Sequence, residues 1–294
     1  MTGDRYDVIA LGETMLSLIA EEGPLADATR FVATHGGAES NACVALARSG
    51  LRVAWVSRLG DDDAGRRIRS ALAREGIDLS WVAADASRPT GVMLRDTLGT
   101  VEYVRAGSAA SAMDAGDLGG VPVGDARAVL VTGITAMLGE GPQRAAVALL
   151  EEARGMRVVD PNLRRGLWGS DRAPELIAPL VARCDVLLGG ETELRTFAPR
   201  SGESLARACA RLGPREIVLK RAAAGAGALD AEGVWHEQAP ITTDERDPIG
   251  AGDAFNGAYI GARLDGRDVP DALKAAVVAG AHAAATFGDT EGQA

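Results

Sequence analysis

The sequence predicts an α/β fold, in which a mainly parallel β-sheet is flanked by helices on both faces and a small β-sheet lid projects from it. Short apolar runs alternate with amphipathic helical segments along most of the 294 residues. Two stretches, 12–34 and 88–106, instead resemble short strands joined by turns, the second with its turn near Gly99. No repeat or low-complexity tract divides the chain. We therefore expect a single domain over 1–294, with lid segments at about 12–34 and 88–106.

The strand candidates are short runs rich in Val, Ile and Leu, bounded by polar or turn-forming residues. They are YDVIAL at 6–11, RVAWVS at 52–57, AVLVTG at 128–133, MRVVD at 156–160, DVLLG at 185–189 and EIVLK at 216–220. Segments with helical periodicity lie between them, such as SNACVALARSG at 40–50 and DAGRRIRSALAREG at 63–76. A dinucleotide-binding fold is disfavoured because VIALGETML has one glycine where that fingerprint needs three.

Composition narrows the class of protein. The net charge of -10 argues against a nucleic-acid surface, which needs a basic patch. No apolar run reaches the roughly 20 residues that span a bilayer, and the first residues lack signal-peptide architecture, so we expect a cytoplasmic protein that does not bind membranes. The three cysteines, Cys43, Cys184 and Cys209, have no paired spacing and are expected to be buried thiols.

The segment DPIGAGDAFNG at 247–257 places an acid, Asp253, behind the small residues Gly250, Ala251 and Gly252. Apolar residues at helical spacing follow, so the acid lies at the start of a helix. An N-cap after a glycine-rich turn is the simplest interpretation. Backbone amides without side chains over them, at the positive end of a helix, can also form an anion cradle.

Together with GGAESNACVALARSG at 36–50, this segment resembles the two signatures of the PfkB, or ribokinase-like, family of carbohydrate kinases. The resemblance implies a ribokinase-like fold and ATP-dependent phosphoryl transfer with Mg²⁺. It implies that Gly250, Ala251 and Gly252 hold the transferring phosphoryl group and that Asp253 is the general base. It leaves open whether a monovalent cation assists.

Further segments are similar to 2-keto-3-deoxygluconate kinases, which implies a sugar acid as acceptor. They are GGAESN, YVRAGSAAS at 103–111, DPNLRRGLW at 160–168 and GDTEG at 288–292. The implied acceptor-binding residues are Gly37, Asn41, Tyr103, Arg105, Arg164 and Asp289, and Asn162 with Arg164 also faces the nucleotide. Each has a simpler interpretation: a turn before a helix, a solvent-facing strand pair, solvated loop charges or a C-terminal acid.

The nucleotide side of the resemblance is less complete. Lys220 and Gly225 match the strand and turn that lie against ATP in the family, but Ala222 stands where relatives usually have glycine. Glu193 matches an acid linked to the metal, which we expect to bind Mg²⁺ through water, whereas Gly190 replaces an asparagine or serine. An exposed helix acid is the alternative interpretation of Glu193.

These observations favour an ATP-dependent kinase that converts 2-keto-3-deoxygluconate to its 6-phosphate. Arginines on both sides of the pocket favour an acidic acceptor because guanidinium groups bind carboxylates well. Met93 stands where such kinases often have tyrosine, so one hydrogen bond to the acceptor is expected to be missing. A kinase of a neutral sugar such as fructose, or of a nucleoside, is the alternative. A non-catalytic sugar-binding relative is a third reading. The expected partners are a sugar acid and ATP, and a homo-oligomer remains open.

Overall fold

The computed structural model of this protein describes residues 6–163, 173–290 and 292–293. Its strands form a nine-stranded sheet, in the order β13-β12-β11-β10-β9-β8-β1-β4-β5, and a four-stranded sheet, in the order β3-β2-β6-β7. The strands are β1 Val8–Leu11, β2 Met15–Ala20, β3 Phe31–Gly36, β4 Val53–Gly60, β5 Val82–Asp85, β6 Val92–Arg95, β7 Val101–Val104, β8 Ala128–Thr132, β9 Met156–Asp160, β10 Val186–Gly190, β11 Glu216–Lys220, β12 Ala226–Leu229 and β13 Trp235–Gln238.

The helices in the described parts of the chain lie mostly between strands of the large sheet. They are α1 Ala38–Arg48, α2 Asp63–Arg74, α3 Gly133–Met137, α4 Glu140–Glu152, α5 Ala173–Val181, α6 Glu191–Leu194, α7 Gly202–Ala210, α8 Ala251–Leu264 and α9 Val269–Ala284. None of these helices combines the length and the apolar character needed to cross a membrane.

The large sheet is mainly parallel. Strand β1 lies between β4 and β8, two strands from the edge strand β5, and the pairs from β8 to β11 are also parallel. Among the described strands of this sheet, the antiparallel pairs are β11 with β12 and β12 with the edge strand β13. The predicted fold class is confirmed, and all of the predicted strand segments are strands. The edge hairpin of β12 and β13 was not predicted.

The core lies on both faces of the large sheet. In β1, Val8 and Ala10 pack into one apolar cluster while Ile9 and Leu11 pack into the other. All four are fully buried. Strands covered by helices on both faces need continuous apolar residues, which is why the sequence showed runs rather than alternation. The three cysteines are buried free thiols, as predicted.

The small sheet is formed by the segments that were predicted to make up the lid. It consists of two antiparallel hairpins, β2 with β3 and β6 with β7, joined by the parallel pairing of β2 and β6. Gly99 has φ 95°, in the left-handed region that glycine tolerates, and it provides the turn between β6 and β7. Strand β3 ends at Gly36, immediately before α1, so the lid leads directly into the first signature segment.

Candidate active site

The turn before α8 is the predicted anion cradle, and the described part of the structure leaves one of its backbone amides open. Gly250 has φ 83°, and a Cβ there would collide with the carbonyl oxygen of Asp289. The amide of Ala251 donates to Pro248 O at 3.3 Å, and that of Asp253 donates to Gly250 O at 3.1 Å. Among the described residues, no acceptor is hydrogen-bonded to the Gly252 amide. This unsatisfied donor at a helix start suits a negatively charged group.

Asp253 is the third residue of α8 and is only 8% exposed. The N-cap interpretation is wrong, because Gly250 occupies the N-cap and no side chain of the described residues caps the helix. The carboxylate of Asp253 instead accepts a 2.9 Å hydrogen bond from Asn41 Nδ2 on α1. The Gly37 amide in turn lies 3.4 Å from Asn41 Oδ1. The two signature segments therefore meet at one carboxylate.

Asp160, at the carboxyl end of β9, is a second buried centre that sequence reasoning missed. Its Oδ2 accepts from Lys220 Nζ at 2.6 Å and from Asn256 Nδ2 at 2.6 Å. Its Oδ1 accepts from the Asn162 amide at 2.9 Å, where Asn162 has φ 39°. Ligand sites in parallel sheets lie beyond the carboxyl ends of the strands. An acid that ends a predicted strand was therefore the signal that could have identified Asp160.

Lys220 lies between the cradle and several carboxylates. Its Nζ is 3.6 Å from the position that a Cβ on Gly252 would occupy. Burial acts to lower the pKa of the Lys220 amine, but the nearby Asp160 carboxylate raises it, and Glu193 and Asp253 add to that effect. The net result is a raised pKa, so the amine stays protonated and supplies a fixed positive charge beside the Gly252 amide.

Glu193 lies on α6, and its Oε2 accepts from the Gly190 amide at 3.0 Å. It is close enough to act on the charge of Lys220, which places it on the same side of the site. Within the described ranges, no group of three or more His, Cys, Asp or Glu side chains is arranged to hold a metal ion. A metal at Glu193 would therefore need ligands from water or from the nucleotide.

The predicted nucleotide turn connects β11 to β12. Gly225 has φ 81°, and a Cβ there would collide with the carbonyl oxygen of Gln238. Ala222 also has a positive φ, 48°, which glycine adopts far more readily than alanine. The departure from the family pattern noted at Ala222 thus falls at a position whose backbone conformation favours glycine.

The lid contributes Tyr103 and Arg105, which behave differently. Tyr103 is 39% exposed, whereas Arg105 is only 7% exposed and forms an ion pair with Glu13. The Arg105 guanidinium also lies 5.6 Å from the centre of the Tyr103 ring. The interpretation of both residues as a solvent-facing pair is therefore wrong for Arg105. Glu13, which also accepts from Ser108 Oγ at 2.8 Å, was not predicted, although it follows the first strand closely.

Asp289 is buried at 1% exposure, between the cradle and the lid. Its Oδ1 lies 3.5 Å from Arg95 Nη2, and its Oδ2 lies 2.6 Å from where a Cβ on Gly36 would be. Met93 reaches the same point, with its Cε 3.1 Å from that Cβ position. Arg164 lies outside the described residues.

Comparison with known proteins identifies the family. A model of the pfkB family of carbohydrate kinases matches residues 6–293. A 2-dehydro-3-deoxygluconokinase of Thermoproteus tenax is 34% identical, over 97% of this chain and 90% of the relative. A 2-dehydro-3-deoxygalactonokinase of Haloferax volcanii is 30% identical, over 91% and 87%. A crystal structure of a PfkB protein from Polaromonas sp. JS666 superposes with a TM-score of 0.89 at 36% identity, covering 96% of this chain and 97% of the other. The chain therefore belongs to the pfkB family of carbohydrate kinases.

Proposed function

We propose that this kinase transfers the terminal phosphoryl group of ATP to a sugar acid, with 2-keto-3-deoxygluconate and its 6-phosphate as substrate and product. The observation that carries the proposal is the position of Asp253, a buried carboxylate held by Asn41 one residue after the open Gly252 amide. A proton acceptor and an anion site are thus adjacent, as phosphoryl transfer to a hydroxyl requires. The names of the Thermoproteus and Haloferax relatives support a deoxy sugar acid as acceptor.

Asp253 is the general base of the proposed reaction. Its carboxylate takes the proton of the acceptor hydroxyl as the hydroxyl oxygen forms a bond to the terminal phosphorus. The bond between that phosphorus and the bridging oxygen breaks, and its electron pair leaves with ADP. Asn41 donates to the same carboxylate, and a hydrogen bond of that kind favours the ionised form that a base needs.

The residues on the cradle side fit the phosphates of a nucleoside triphosphate. The Gly252 amide and the protonated Lys220 amine would hold the transferring phosphoryl group, and Gly250 lets the backbone turn tightly beneath it. Glu193 would orient Mg²⁺ through water. When bound, ATP supplies the phosphoryl group and Mg²⁺ neutralises part of its charge.

The lid residue Arg105 supports an acidic acceptor. Its Nε is buried and has no hydrogen-bond acceptor among the residues that the structure describes. A carboxylate on the acceptor would satisfy that donor, and charge-assisted pairs of this kind are strong. Arg164 is the second arginine that we propose for this role.

A neutral sugar or a nucleoside is the second candidate acceptor, and a specific contact favours it. Glu13 already pairs with Arg105, so the guanidinium charge is compensated before any acceptor binds. An enzyme built for a neutral acceptor would have this arrangement. We place the sugar acid first because the Arg105 Nε donor has no acceptor within the described part of the chain.

The test is a coupled assay of ADP formation with 2-keto-3-deoxygluconate, its galactonate epimer, fructose and a nucleoside. We expect turnover with a sugar acid, and a rate lower by about 10²- to 10⁴-fold in Asp253→Asn, which keeps the shape and loses the base. Preference for fructose or a nucleoside would move the assignment to the second candidate. Near-normal turnover of Asp253→Asn would contradict the role of Asp253.

A further inference from the structure

A buried arginine on the lid joins two carboxylates that flank the catalytic helix. Arg95, the last residue of β6, is 2% exposed, and its Nη1 donates to Asp247 Oδ2 at 2.7 Å. Its Nη2 lies 3.5 Å from Asp289 Oδ1. The ring of Phe287 covers the guanidinium at 5.6 Å from its centre. Three separate segments of the chain therefore meet at one positive charge.

The two carboxylates belong to the loops that shape the anion cradle. Asp247 starts the second signature segment, and its Oδ1 accepts from the Ile249 amide at 3.1 Å, immediately before Gly250. Its Oδ2 also accepts from the Gly288 amide at 3.2 Å, which ties this segment to the loop carrying Asp289. The carbonyl oxygen of Asp289 in that loop packs so closely against Gly250 that a Cβ there would collide with it. The position of the Gly250 turn therefore depends on how these two carboxylates are held.

A buried pair of carboxylates needs a compensating cation. Asp247 is 5% exposed and Asp289 is 1% exposed, so solvent screens them little. An uncompensated buried charge is strongly unfavourable, and a carboxylate in that state takes up a proton or a cation from solution. Arg95 cannot lose its proton in a protein, so its charge is permanent. The chain thus carries its own cation at this place.

We propose that Arg95 is a positioning residue for phosphoryl transfer, an internal cation that holds the Asp247 and Asp289 loops so that the Gly250 turn stays in place. The role of that turn rests on the proposed function. A consequence is that turnover does not require an added monovalent cation. Because Arg95 comes from the lid, the same contact anchors the lid sheet to the cradle.

The experiment compares wild type, Arg95→Met, Arg95→Lys and Arg157→Met at fixed Mg²⁺ and ATP, in buffers whose only added monovalent cation is Na⁺, K⁺, choline or guanidinium. Arg157 pairs with Asp185 at the amino-terminal end of β9, so Arg157→Met controls for the loss of an ion pair remote from the cradle. We expect wild type and Arg157→Met to have the same kcat in every salt. Arg95→Met should lose about 10- to 100-fold in kcat, as small displacements of aligned groups do.

Rescue separates positioning from general damage to the fold. Low concentrations of guanidinium or K⁺ should restore part of kcat in Arg95→Met, and Arg95→Lys should keep most of it, because both return a cation to the two carboxylates. An unchanged kcat in Arg95→Met would overturn the proposal. A loss of kcat that is the same in every salt, with no rescue by any cation, would also overturn it. If Arg95→Met does not fold, wild type decides, because activation of wild type by K⁺ over choline contradicts an internal cation.

A second readout needs no acceptor. The shift in Tm caused by ATP measures whether the cradle can hold phosphate. We expect this shift to be smaller in Arg95→Met than in wild type and to recover when guanidinium is present. If no sugar acid is phosphorylated but this pattern holds, the acceptor assignment fails while the role of Arg95 stands. An ATP-induced shift that is the same in both proteins counts against Arg95.

Discussion

Asn41 Nδ2 donates a 2.9 Å hydrogen bond to Asp253 Oδ2 in the buried space between α1 and α8, joining residues 212 positions apart. The contact orients the carboxylate and stabilises its charged form. The same amide group of Asn41 reaches back to the Gly37 amide through Oδ1. The first signature segment therefore acts on the proposed base as well as on the acceptor.

Asn41→Asp should shift the acid side of the pH–rate profile to higher pH. Two carboxylates at hydrogen-bonding distance cannot both ionise easily, so the apparent pKa of the pair should split and the base should lose its proton only at higher pH. The measurement is kcat/KM against pH for wild type and variant. Asn41→Ala, which removes the donor without adding a charge, is the matched control and should move the profile far less. Superimposable pH profiles for the three proteins would show that Asn41 does not influence the ionisation of the proposed base.

Arg105→Ala should weaken a sugar acid far more than its neutral alcohol analogue. Charged hydrogen bonds contribute about 1.5 to 3 kcal/mol, so kcat/KM for the acid should fall roughly 10- to 150-fold. The measured quantity is the ratio of kcat/KM between the two acceptors, because a general effect on the lid slows both alike.

Glu13→Gln provides the opposite change at the same ion pair. It removes the carboxylate that Arg105 contacts and leaves the guanidinium uncompensated. The ratio should therefore move toward the acid in Glu13→Gln and away from it in Arg105→Ala. If the ratio of kcat/KM between the acid and its neutral analogue stays constant in both variants, Arg105 does not distinguish the acceptors by charge.

Glu193→Gln should raise the Mg²⁺ concentration that gives half-maximal rate. The amide keeps an oxygen for the Gly190 amide but loses the negative charge that attracts the ion. The assay is a titration of turnover with Mg²⁺ at fixed ATP. Glu191→Gln, two residues earlier on α6, is the matched control and should leave the titration unchanged. An unaltered magnesium dependence in Glu193→Gln excludes Glu193 from the metal site.

Glu39→Gln should stabilise the folded chain at neutral pH and have less effect in acid. Burial raises the pKa of the Glu39 carboxyl group above its usual 4.5, while Thr135 and Thr132 partly oppose that effect by donating hydrogen bonds to it. Because the pKa of Glu39 is higher in the folded chain than in the unfolded chain, the wild type has its full free energy of unfolding below pH 4.5. Part of that free energy is lost as pH rises through the folded pKa, where Glu39 must ionise in a buried place. A difference of one unit between the pKa of a group in the folded chain and its pKa in the unfolded chain corresponds to about 1.4 kcal/mol of stability.

The measurement for Glu39 is the free energy of unfolding of both proteins from pH 4.5 to pH 8. The difference between them should grow in favour of the variant as pH rises. Asp63→Asn, at an exposed position of α2, is the control for loss of one acid and should show no such trend. A variant that is uniformly less stable would show that the Glu39 charge is retained in the folded state.

The parallel part of the sheet could be predicted from the sequence because the apolar runs of a parallel sheet must be continuous. In β1 every residue is buried against one of two cores, so VIAL stands out from the polar segments around it. The lid was recognisable for the opposite reason, since β6 and β7 are short, partly exposed strands around a glycine turn. The edge hairpin escaped notice because small residues such as those of β12 carry little strand signal.

The signature segment likewise predicted the helix start, the bare turn and the acid within it, because these depend on neighbours in the chain. Sequence alone did not identify Asp160, Glu13 or Arg95. A charged side chain can be recognised as buried only when its partner is known, and these partners are distant in the sequence. Lys220 lies 60 positions from Asp160, Arg105 lies 92 positions from Glu13, and Asp247 lies 152 positions from Arg95. Only the tertiary structure decides which charges share a low-dielectric space, where a buried carboxylate needs a cation or hydrogen-bond donors to stabilise its charge.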